Sequence, residues 1–130
     1  MGGRMTSLAA ADGSLSNIRG IIFFGFPLHA AGAPSAERGD HLKSVSVPML
    51  FLQGERDKLA DLNLLRPIVQ KLNNATLHVV EQADHSFHVP KSSGRSEDEV
   101  FENLVQTVST WIRRVHAELI VQRTPAEKHE

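Results

Sequence analysis

The stretch Gln82-Ala83-Asp84-His85-Ser86-Phe87 gathers an imidazole, a carboxylate and a hydroxyl within three consecutive residues. It follows the apolar run Leu77-His78-Val79-Val80, which reads as a strand, and precedes a Pro/Gly/Ser-rich loop and a long helical pattern. A histidine at the carboxyl end of a strand stands where open α/β sheets place ligands and chemistry. Neutral imidazole takes up a proton near neutral pH and can return it, so His85 is the candidate general base. A second polar turn, Gly54-Glu55-Arg56-Asp57-Lys58, follows another apolar run and carries a further carboxylate.

Plainer roles are open to the same residues. His85 can be a solvated loop histidine, and Asp57 an Asx-turn residue. Asp84 is expected to order its loop rather than to act as the acid. His85 and His88 with Asp84 could bind a metal, but the pattern offers no third, distant ligand. His29 and His41 read as loop residues. Ser7 and Ser14 lack the strand-turn-helix context of a nucleophile, and Ser86 is too near in sequence to face His85 productively. Gly2-Gly3 is too short for a phosphate loop, and no Gly-x-Gly-x-x-Gly occurs. No cofactor and no metal are expected.

The elements that must hold these loops can be read in order. Gly2 to Ala11 is helix-compatible, and Asp12-Gly13 ends it. Gly20-Ile21-Ile22-Phe23-Phe24-Gly25 is a continuous apolar run, the pattern of a parallel strand covered on both faces. Residues 26–40, rich in Pro, Gly, Ala and His, read as a long loop. Val47 to Gly54 is a second buried strand, with Pro48 tolerated near its start. Asp61 to Leu72 has helical apolar spacing, and Pro67 should bend that helix or mark its first turn. Ala75 to Glu81 is the third strand. Ser96-Glu97-Asp98-Glu99 is a capping box opening the last helix. That helix has apolar positions 100, 101, 104, 105, 108, 111, 112 and 115 on one face. After about Ile120 the chain is polar and expected to fray. Strands separated by helices imply a parallel α/β sheet, small for sequences this apolar and so expected to be part of a larger one.

Composition narrows the function classes. The 130 residues hold 14 basic and 15 acidic side chains, a net charge of −1, with no basic stripe for nucleic acid. No run of about 18 apolar residues is present, so no membrane helix is expected, and the first residues do not read as a signal peptide. Cysteine is absent, which removes disulfides and thiolate zinc sites. An intracellular protein is expected, cytoplasmic, with the nucleus as the alternative.

The two polar turns together resemble the acid and histidine loops of the α/β-hydrolases. In that family the triad runs Ser, Asp, His, with the last two following consecutive strands. The separation here, 85 − 57 = 28 residues, is what one helix and one strand occupy. Gly25-Phe26-Pro27-Leu28-His29, Val47 to Gly54, and Asp84-His85-Ser86-Phe87 look like the dienelactone-hydrolase-related subgroup called the KANL3/Tex30 family. The likeness covers roughly residues 1–115.

The resemblance implies the C-terminal part of an α/β-hydrolase: about three parallel strands, the family's sixth to eighth, with flanking helices over residues 1–118, and a polar tail at 119–130. It implies Asp57 and His85 as catalytic acid and base. Met1-Gly2-Gly3 fits the second half of a Gly-x-Ser-x-Gly nucleophile elbow, so the Met1 backbone N–H would be an oxyanion donor and the serine would precede Met1. The expectation is a serine hydrolase of esters, thioesters or amides in the complete form. This chain would be inactive alone, cut just after the serine. Its partner would be a small-molecule substrate or, for a non-catalytic hydrolase-like module, a protein. The open edge of the first strand would favour self-association.

Overall fold

The computed structural model describes residues 19–29, 32 and 37–127. The expected helix over Gly2–Ala11 lies outside them. Strand β1 (Ile21–Phe24) leads through a 3-10 helix (Glu37–Ser44) into β2 (Met49–Gly54). Helix α1 (Leu62–Gln70), β3 (Ala75–Val80), a short 3-10 turn (Lys91–Ser93) and helix α2 (Glu97–Glu127) follow.

The strands form one parallel sheet in the order β1-β2-β3, with Ile21 opposite Met49 and Met49 opposite Ala75. This is the α/β architecture expected: three parallel strands with flanking helices. The apolar runs are continuous because side chains of β2 alternate between two cores. On one face Met49 and Phe51 join Ile21 and Phe23, and α1 (Leu65, Val69) and the 3-10 helix (Leu42) cover them. The Phe23 and Phe51 rings stack at 4.7 Å, with Phe26 edge-on to both. On the other face Leu50, Leu52 and Val80 pack under Val100, Leu104 and Trp111 of α2.

Trp111 lies so close over Gly20 that a Cβ there would come within 3.0 Å of its ring. All six residues of β2 are buried, whereas β1 and β3 are the outer strands among the described residues and are less covered; Phe24 is 59% exposed.

Local chemistry sets the element ends. Pro48 stands just before β2, where no ladder donor is needed, and its carbonyl accepts from the Ile21 N–H. The Asn74 side chain donates to the Val45 and Val47 carbonyls and so fixes the entry to β2. Asp61 caps α1 by accepting from the Asn63 N–H. Pro67 lies in the interior of α1 rather than in its first turn. The box at Ser96 forms as expected: Ser96 Oγ accepts from the Glu99 N–H, and Glu99 Oε1 from the Ser96 N–H.

Three expectations are corrected. Part of the loop expected over 26–40 is helical: a 3-10 helix starts at Glu37, and its apolar residues begin only at Leu42, too late to give a period. The apolar stripe on α2 divides. Positions 100, 104 and 111 are buried against the sheet, while Phe101, Val105 and Ile112 stay exposed, Phe101 and Val105 lining an open hollow with Phe24 of β1. The backbone of α2 stays helical to Glu127, past the Ile120 near which fraying is expected.

Candidate active site

The ends of β2 and β3 are tied together before any reactive group is placed. The Glu55 N–H donates to the Val80 carbonyl at 2.9 Å, and the Arg56 N–H to that of Ala83 at 2.8 Å. Glu55 Oε1 accepts from the Gln82 N–H, and Gln82 turns the chain off β3 with φ at 61°. The two turns touch at Gly54, where a Cβ would fall 2.2 Å from the Asp84 carbonyl oxygen and 2.4 Å from that of Ala83. Only glycine allows the histidine loop to lie on the acid turn.

Asp84 shapes that loop. Its Oδ1 accepts from the N–H groups of Ser86 and His88, both at 2.9 Å, and its own N–H donates to the His88 carbonyl. The loop closes with Phe87 at φ 66°. Asp84 thus does the ordering work expected of it, and the loop presents His85 toward Asp57.

The two groups meet. His85 Nδ1 lies 2.7 Å from Asp57 Oδ2, a short, charge-assisted distance. The Asp57 side chain has no exposed surface, and that of His85 is 37% exposed. Asp57 also accepts from the Leu59 N–H on Oδ1 at 2.8 Å and from Gln53 Nε2 on Oδ2 at 3.3 Å. An ionised carboxylate can only accept, so the His85 proton sits on Nδ1 in the neutral ring, and the lone pair is left on Nε2. Beneath the ring lies Gly25, at φ 78°, where a Cβ would stand 3.0 Å from His85 Cε1. A buried carboxylate fixing one tautomer of a half-exposed imidazole is an arrangement that can take a proton from a hydroxyl and pass it on.

Residues 1–113 match the family model described as an alpha/beta hydrolase domain. This chain belongs to the α/β-hydrolase family. Among solved structures, the chain is similar to a thermophilic esterase from Thermogutta terrifontis, with 26% identity and a TM-score of 0.45. That match covers 62% of this chain and 28% of the esterase chain, so the chain spans well under half of that protein's length.

Within this hydrolase domain the remaining candidates separate from the pair. His29 is buried; its N–H donates to the Leu59 carbonyl and its Nε2 accepts from the Asp61 N–H, both at 2.9 Å. It therefore holds the segment that follows Asp57. The His41 ring lies against Phe26. His88 stands exposed at 3.7 Å from Asp84 and 3.9 Å from Glu97. Among the described residues no group of three or more His, Asp or Glu side chains is placed to hold a metal ion. Ser86 lines an apolar hollow of about 570 Å³ with Phe24, Phe87, Phe101 and Val105. Met1, Ser7 and Ser14 lie outside the described residues. No helix among the described residues is long and apolar enough to cross a membrane.

Sequence reasoning passed over Gln53, Gly25 and the structural use of His29. The one available signal was Gln53, a polar residue at the end of an otherwise apolar, buried strand.

Proposed function

We propose that this chain carries the acid and base of a serine hydrolase acting on an ester, thioester or amide, of the KANL3/Tex30-like subgroup. The observation that supports this reading best is the 2.7 Å contact between His85 Nδ1 and the fully buried Asp57 carboxylate. On this reading the nucleophile would be a serine before Met1, with the Met1 N–H as an oxyanion donor; the 130 residues themselves hold no Gly-x-Ser-x-Gly.

The chemistry then follows from the tautomer. His85 Nε2 takes the serine proton as Oγ attacks the carbonyl carbon, and Asp57 stabilises the imidazolium. His85 returns the proton to the leaving alcohol, thiol or amine as the C–O, C–S or C–N bond breaks and the acyl-enzyme forms. Water, deprotonated by His85, releases the acid and restores the serine. The domain reading is a partial hydrolase domain over residues 1–118, followed by a polar tail.

The full-length gene product should label with a fluorophosphonate probe and hydrolyse an activated ester. His85→Ala should lower kcat by about 10⁴-fold or more, the scale of triad removal in other hydrolases. Residues 1–130 alone should turn over no ester. Full-length protein with a serine at the elbow that neither labels nor turns over would overturn the reading.

A second reading, a non-catalytic hydrolase-like module that binds a protein, is favoured by the exposed Phe24, Phe101, Val105 and Ile112. It gains if the residue before Met1 in the gene is no nucleophile.

A further inference from the structure

We infer that Gln53 is a positioning residue that sets both halves of the His85–Asp57 pair, an inference that rests on the hydrolase reading only for its kinetic consequence. Gln53 has no exposed surface. Its Oε1 accepts from the Phe26 N–H at 2.5 Å, and its Nε2 donates to Asp57 Oδ2 at 3.3 Å. An N–H can only donate and a carboxylate can only accept, so the two partners leave one orientation for the amide. The Oδ2 atom that Gln53 touches is the one His85 Nδ1 meets at 2.7 Å.

The other end of the same amide holds Phe26, the residue after Gly25, on which the His85 ring lies. The Gly25 N–H is bonded to the Leu52 carbonyl at 2.8 Å, next to Gln53 in β2. One side chain at the end of β2 therefore fixes the carboxylate on one side of the imidazole and the floor under it on the other. A glutamine that merely filled space would need neither bond. A buried amide at the last step of an apolar strand carries a desolvation cost that only satisfied partners offset.

Two variants of the full-length protein test this. Gln53→Leu keeps most of the volume and removes both bonds. Gln53→Glu keeps the shape and the acceptor for Phe26, but it donates to Asp57 only while its own carboxyl is protonated. Two carboxyls this close share one proton and repel once it is lost. The first readout needs no substrate: the downfield NMR signal of the His85 Nδ1 proton held against Asp57. It should vanish in Gln53→Leu at every pH. In Gln53→Glu it should shift with pH, because loss of the shared proton sets a second negative charge beside Oδ2, while the parent protein holds it at one position throughout that range.

The second readout is turnover. Gln53→Leu should lower kcat about 100-fold, the scale of a small misplacement in an active site, with KM nearly unchanged. If Gln53→Leu fails to fold, the pH dependence of Gln53→Glu decides. A Nδ1 signal and a kcat that persist in a folded Gln53→Leu, or a Gln53→Glu signal that does not move across that pH range, would overturn the inference. A parent protein without turnover would sink the hydrolase reading instead, and the Nδ1 signal would still judge Gln53.

Discussion

Replacing Gly54 by alanine should strike stability and the candidate site together. The added Cβ would lie 2.2 Å from the Asp84 carbonyl oxygen, and ordinary contact begins at 3.4 Å. The histidine loop must therefore retreat by about 3.4 − 2.2 = 1.2 Å. It cannot do so freely, because the Arg56 N–H is bonded to the Ala83 carbonyl at 2.8 Å and Asp84 itself is folded onto Ser86 and His88.

The clash is backbone against backbone, so no side chain can rotate away. Overpacking of this kind costs about 1–3 kcal/mol, and this case belongs at the upper end. For a chain of 130 residues, about 3 kcal/mol corresponds to a fall in Tm of roughly 10 °C. A retreat of that size along the 2.7 Å contact between His85 and Asp57 would also carry it past hydrogen-bonding range. Calorimetry and the His85 Nδ1 proton signal read the two effects separately. A Gly54→Ala protein that melts within about 2 °C of the parent and keeps the proton signal would refute the reasoning that the two turns are locked at Gly54.

Three further outcomes follow from the same geometry. Phe51→Ala removes a fully buried ring stacked on Phe23 and should cost about 3–5 kcal/mol by denaturant titration. Ser96→Ala removes the acceptor of the Glu99 N–H and should cost about 1 kcal/mol, with no change in the His85 proton signal. We propose that residues 1–130 on their own self-associate at the outer edge of β1, where Phe24 and Phe101 stand 59% and 66% exposed. In sedimentation Phe24→Lys with Phe101→Lys should then shift the sample toward monomer, and an unmodified chain that is already monomeric would refute this.

The parts of the fold that were legible in the sequence are those with a period. The three apolar runs became β1, β2 and β3, and the capping box marked the start of α2. Asp57 and His85 could be paired from a distance of one helix and one strand, because parallel strands bring their carboxyl ends to one side. What the pattern did not carry was geometry specified by single atoms. The need for Gly54 comes from a carbonyl 30 residues later in the chain (84 − 54 = 30). Gln53 looked like one polar residue in an apolar strand, since neither the Phe26 N–H nor the Asp57 carboxylate leaves a trace in its neighbours. The 3-10 helix at Glu37–Ser44 escaped because Gly39 and Asp40 interrupt any apolar spacing before Leu42. On α2, hydrophobicity told which residues were apolar but not that Phe101 and Ile112 stay exposed.

The placement of Trp111 over Gly20 gives the molecule a built-in optical reporter. It is the single tryptophan of the chain, nearly buried, and it packs in the core between α2 and the sheet. Its emission will therefore redden when α2 lifts from β1 and β2, whatever happens on the opposite face. The Nδ1 proton of His85 reports on the loops at the strand ends instead. Followed together during unfolding, the two signals tell whether the site dissolves before the helix leaves or only with it, which separates local opening of the loops from loss of the whole domain.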